Sequence, residues 1–115
     1  MIPKLECGST IYISGAMRGQ YCYQFKNFFY WQVVFERSGY VVINPAEIDA
    51  VKMIDGWVFT ESQYEDVMAA DLLLIESKAD AVFVLKEHKT SEGALREIAR
   101  AEKCGIPVFY EEMQK

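Results

Sequence analysis

Four short runs rich in β-branched and aromatic residues alternate with three longer stretches of helical character, and this alternation constrains the chain more than any other feature. The runs are TIYIS (Thr10 to Ser14), YVVI (Tyr40 to Ile43), DAVFVL (Asp80 to Leu85) and IPVFY (Ile106 to Tyr110). Between them, residues 23 to 38 contain no Gly or Pro and stop at Ser38-Gly39. Residues 61 to 77 read as a second helix, and Glu92 to Cys104 as a third with Gly105 as its stop. Strands with so little polar alternation suit a parallel sheet covered by helices on both faces. The expected fold is a small doubly wound, three-layer α/β sandwich (Rossmann- or flavodoxin-like) with a parallel sheet of four to five strands. The length of 115 residues fits a single domain, residues 1–115. Folds of this kind bind ligands beyond the carboxyl ends of the strands. That directs attention to the loops 15–22, 44–60 (with a short turn expected near Asp55-Gly56) and 86–92.

Charge and cysteine content narrow the function classes. Twelve basic against seventeen acidic residues give a net charge of -5, which disfavours a nucleic-acid polymer or an anionic membrane as partner. The first residues lack the basic and apolar pattern of a secretory signal, and no run approaches the roughly 18 apolar residues of a membrane span. A soluble, cytoplasmic domain is expected. Cys7, Cys22 and Cys104 form no CxxC pair and His88 is the only histidine, so no metal site is expected. Cys104 reads as a small buried hydrophobe.

The first helix carries a second message. Phe25, Phe28, Phe29, Tyr30, Trp31, Val33, Val34 and Phe35 lie all around its axis rather than along one stripe. One face can pack on the sheet. The other calls for a second copy of the chain, giving a homodimer or higher homo-oligomer through helix 23–38, or for a wrapping 44–60 loop.

Three constellations could carry chemistry. In IYISGAMRGQ, Gly15 and Gly19 allow close backbone approach to a ligand and Arg18 supplies a planar cation for phosphate or carboxylate; a plain Gly-rich turn with a solvated arginine is the competing reading. In KTSEGALREIARAEK, Thr90 and Ser91 stand where a helix N-cap belongs, an anion seat in principle. Within that helix Gly93, Glu97 and Ala101 follow at i, i+4 and i+8, which puts Glu97 on a face of small residues; a surface pair with Arg96 or Arg100 is the alternative. The third is Asp71 in MAADLLLIE, an awkward place for a solvated charge, where desolvation would favour a proton donor unless the residue is simply exposed or a cap. His88 lies in the loop before Ser91 and is a candidate ligand contact.

Together these pieces resemble the nucleoside 2-deoxyribosyltransferase superfamily, which includes the 2'-deoxynucleoside 5'-phosphate N-hydrolases. The likeness runs from Thr10 to Tyr110 through IYISGAMRG, GYVVINPAE, Asp71, ADAVFVL, SEGALRE and GIPVF. It implies that Glu97 is a nucleophile toward the anomeric carbon of a deoxyribosyl group, that Tyr12 holds and polarises it, and that Asp71 protonates or positions the departing base. It further implies a substrate-binding set of Gly15, Ala16, Arg18, Gly19, Asn44, His88, Ser91 and Gly93, and a reaction needing neither cofactor nor metal. Members that transfer between bases typically carry aspartate six residues before the nucleophile. Ser91 stands there instead, as in the nucleotide hydrolases, and Arg18 matches an arginine of their first loop. Ala16 departs from their usual serine, and Asp66 is the alternative acid. The resemblance thus implies an N-glycosidase of 2'-deoxynucleoside 5'-monophosphates, with a deoxyribosyltransferase and a non-catalytic nucleotide-binding module as alternatives.

Overall fold

The computed structural model describes residues 5–15, 22–45, 47, 61–85 and 92–111. The elements run β1 (Thr10–Ser14), α1 (Cys22–Arg37), β2 (Val41–Ile43), α2 (Glu61–Lys78), β3 (Ala81–Val84), α3 (Glu92–Lys103) and β4 (Val108–Tyr110). The four strands form one parallel sheet in the order β2-β1-β3-β4. The doubly wound α/β class expected from the sequence is what the chain adopts. The turn expected near Asp55-Gly56 and the side chain of Phe25 lie outside the described residues. None of the described helices is long and apolar enough to cross a membrane.

The sheet's order explains the strand sequences. Ile11 to Ser14 and all of β3 are buried because these two strands have neighbours on both sides and helices on both faces. The edge strands β2 and β4 are shorter and half-buried, with Val41 exposed. The two-residue period of a strand then divides the core. Ile11, Ile13, Phe83 and Leu85 face α1, where they meet Phe28, Phe35 and the half-buried Trp31. Tyr12, Val82 and Val84 face the other way, against Ile75 and Ala79 from α2 and its exit and Ile98 and Ala101 from α3. Crossing from β2 over β1 to β3 reverses the direction of travel, and with right-handed connections this sends α2 and α3 to the face opposite α1.

Trp31 and Phe35 both pack on Phe83, the first tilted and the second edge to face, with ring centroids 4.7 and 4.8 Å away. Phe83→Ala is expected to lower unfolding free energy by about 3–5 kcal/mol, the usual cost of emptying an aromatic core site. Urea titration would show it, and a loss under about 1 kcal/mol would mean the α1 layer is not packed as described.

Two helices end as the glycines foretold. At α1 the Gly39 N–H donates to Glu36 O and the Tyr40 N–H to Phe35 O, with Gly39 at φ 96°. At α3 Gly105 donates to Glu102 and Ile106 to Ala101, with Gly105 at φ 72°. Both are Schellman endings, which need the left-handed residue. The second corrects the expectation for Cys104, which is exposed. The chain turns off the helix axis there, and Ile106 rather than Cys104 packs against the core.

Helix α1 resolves into two faces. Phe28 and Phe35 are fully buried on the sheet, whereas Phe29, Tyr30 and Val33 are exposed on the opposite side, Tyr30 by 60%. Its inner face is also tied to the end of β4: Asn27 Nδ2 and Trp31 Nε1 donate to the two carboxylate oxygens of Glu111, at 3.0 and 2.9 Å.

Candidate active site

In an open parallel sheet, loops that leave neighbouring strands toward opposite faces part from each other and leave a crevice at the strands' carboxyl ends. Here the divergence falls between β1, whose chain continues into α1, and β3, whose chain continues into α3 on the other face. The two strand ends are themselves joined, since the Leu85 N–H donates to Ser14 O at 2.8 Å.

Glu97 lies beside this point. It occupies the middle of α3, on the face formed by Ala94, Ile98 and Ala101, and only 3% of it is exposed. The small residues of that face let the helix sit close to the sheet and carry the carboxylate to β1. Tyr12 Oη donates to Glu97 Oε2 at 2.5 Å, and Ser14 Oγ donates to Glu97 Oε1 at 2.6 Å. Both donors are fully buried. The surface-pair alternative is excluded by geometry. Arg96 Nη1 bonds Glu65 on α2 at 2.9 and 3.1 Å, and Arg100 Nη1 bonds Glu76 on α2. These partly exposed pairs contribute no more than about 1 kcal/mol each, but they fix α2 and α3 side by side and leave Glu97 to the interior.

Asp71 is 6% exposed, on the inward face of α2 with Met68, Leu72 and Ile75. It falls between Glu65 and Glu76 on α2, as Glu97 falls between Arg96 and Arg100 on α3. The two ion pairs therefore bracket the stretch of the helix pair that carries both buried acids. Asp66, the alternative acid, is exposed.

The remaining sequence-derived candidates divide. Gly15 is buried directly after β1, and Gly93 is half-buried one turn before Glu97. Asn44 is buried at the end of β2, but its Nδ2 donates to Gln32 Oε1 on α1 at 2.9 Å. That bond ties the end of β2 to α1. Ala16, Arg18, Gly19, His88 and Ser91 lie outside the described residues. Ser14 was missed by sequence reasoning. It sits two residues after Tyr12, and in a strand that spacing puts both side chains on one face. Period-two reading from Tyr12 would have found it. Among the described residues no three His, Cys, Asp or Glu side chains gather as a metal site.

A carboxylate in this setting has defined chemistry. Burial disfavours its charge, while donated hydroxyl hydrogen bonds favour it. An ionised, oriented glutamate at a strand-end crevice can attack, or stabilise, an electron-poor carbon.

These features define a small parallel α/β domain with a hydroxyl-held glutamate at the point where its sheet changes direction. Residues 9–110 match the family described as a domain of unknown function (DUF4406), and the chain belongs to that family. Comparison with curated proteins and with solved structures gave no match.

Proposed function

We propose that the protein cleaves the N-glycosidic bond of a 2'-deoxynucleoside 5'-monophosphate and releases the free base. The observation that carries this reading is the buried Glu97 carboxylate, with one oxygen accepting from Tyr12 and the other from Ser14. A Glu–Arg surface pair needs none of that burial. An enzyme that must trap an oxocarbenium-like carbon needs an ionised, fixed carboxylate and a second acid for the leaving group. Asp71, buried on the neighbouring helix, is the residue for the second role.

In the first half-reaction a Glu97 oxygen bonds to the anomeric carbon. The bond to the base nitrogen breaks with its electron pair, and Asp71 gives the base a proton. In the second half water attacks the same carbon, its proton passes to Asp71, and the ester electron pair returns to Glu97. In this reading Arg18, between β1 and α1 in the sequence, and Ser91, just before α3, hold the 5'-phosphate, which the resemblance to nucleotide N-hydrolases supports.

The test is chromatography of bases released from deoxynucleoside 5'-monophosphates and from free deoxynucleosides, with and without an added acceptor base. Release from monophosphates that needs no acceptor is the expected result. Turnover of free nucleosides only with an acceptor would make the protein a deoxyribosyltransferase. Ligand-induced stabilisation with no release from any substrate would make it a nucleotide-binding module.

The proposed setting is a cytoplasmic homo-oligomer joined through the outer face of α1, where Phe29, Tyr30 and Val33 are exposed together. The double variant Tyr30→Glu, Val33→Glu is expected to sediment as a monomer and the parent chain as a dimer or larger. A monomeric parent chain would remove this contact.

A further inference from the structure

Ser14 is fully buried at the last position of β1 and donates to Glu97 Oε1 at 2.6 Å, while Tyr12 donates to Oε2. A glutamate's terminal torsion is broad and has no sharp rotamer preference. A single donor holds one oxygen and leaves the carboxylate plane free to turn about it. Donors on separate oxygens remove that freedom. Tyr12 and Ser14 are two residues apart on one face of a central strand, so their spacing is set by the sheet itself: Tyr12 is paired with Val82 and Ser14 with Val84 in β3. We propose that Ser14 is a positioning residue for Glu97, fixing with Tyr12 the plane of the carboxylate from a rigid strand before any substrate arrives. This rests on the glycosidase reading for its kinetic consequence, but not for its structural one.

The consequence lies in turnover rather than in substrate affinity. An attacking oxygen must meet the anomeric carbon in line with the bond that breaks, and loss of orientation penalises the reacting geometry. The same hydroxyl also favours the ionised form of Glu97. Among the described residues, the buried or half-buried titratable groups of the elements packed around Glu97 are Tyr12 on β1, Asp71 on α2 and Tyr110 on β4, whose side chain packs against the Tyr12 cluster, while Glu65, Asp66, Glu76 and Lys78 of α2 are exposed. On α3 itself, Arg96 and Arg100 are engaged by Glu65 and Glu76.

Ser14→Ala and Ser14→Thr would be compared with the parent chain by steady-state base release. In parallel, the Glu97 carboxyl would be titrated by carbon-13 NMR on the ligand-free protein. Ser14→Ala is expected to lower kcat by about tenfold or more with KM nearly unchanged, on the scale that loss of orientation produces. Its Glu97 titration should move to higher pH, because a donor to the charged form is gone. Ser14→Thr, which keeps the hydroxyl, should restore most of kcat and the parent titration. Ser14→Ala with parent kcat and parent titration would overturn the proposal. So would a folded Ser14→Thr as impaired as Ser14→Ala in both. If the parent chain releases no base at all, the glycosidase reading falls. The titration alone then decides whether Ser14 governs Glu97: an upward move supports the proposal and an unmoved one ends it.

Discussion

Replacing Glu97 with glutamine is expected to reduce base release by about 10³-fold or more, the scale seen when a covalent nucleophile is removed. The amide keeps the side chain's shape and length but has no charge with which to attack or to balance an electron-poor carbon. Folding should survive. Glu97 is buried, yet its partners include the hydroxyls of Tyr12 and Ser14, which can accept a hydrogen bond from the new amide as well as donate one. A stability loss of about 1–3 kcal/mol is the expected range for disturbing such a buried network, and thermal unfolding would check it. Glu97→Ala should abolish activity equally, with a greater cost in stability because two buried hydroxyls lose their acceptor. Retention of activity in the glutamine variant would separate the cluster from the chemistry.

Replacing Asp71 with asparagine has the second-largest expected effect, a fall in kcat of about 10²–10⁴-fold, as for loss of a general acid. Its signature depends on the leaving group. A deoxyribose 5-phosphate carrying a good leaving group, which departs without a proton, should lose little, whereas a natural base should lose the full amount. Equal losses on both would show that Asp71 acts by holding α2 against α3 rather than by delivering a proton. Its surroundings make the acid role physically reasonable. Asp71 is buried on the same side of α2 as Met68, Leu72 and Ile75, and burial on its own works against the charged form.

Much of the fold was legible in the sequence because the strong signals agreed. The continuous apolar run at 81 to 84 reads as a buried strand, and the Gly39 and Gly105 stops place two helix ends to within a residue. The boundaries that shifted did so for local reasons. Asp80 lies outside β3 because its carboxylate accepts the Thr10 N–H and so caps the start of β1. Ile106 lies outside β4 because it completes the α3 ending. Cys104 is exposed because the chain turns off the helix there, whereas the expectation of burial rested only on the general habit of cysteine.

The site was legible in part. Glu97 and Asp71 stood out as carboxylates among small or apolar neighbours, and both proved buried. The resemblance names Tyr12 as the partner of Glu97, but no local pattern shows that contact, because Tyr12 and Ser14 lie more than 80 positions from Glu97 along the chain and meet it only through the sheet. Ser14 closes the TIYIS run, where only its period-two spacing from Tyr12 marks it. The hydrogen bond from the Asn44 amide to Gln32 on α1 had no signal in the sequence either.

The most direct measurement is the rate at which free base appears from deoxynucleoside 5'-monophosphates, for the parent chain and for Glu97→Gln at equal folded concentration. Base release by the parent chain that disappears in the variant is the predicted result. Equal release by both, or none from any monophosphate by the parent chain, would contradict the assignment of Glu97 as the nucleophile of a nucleotide N-glycosidase.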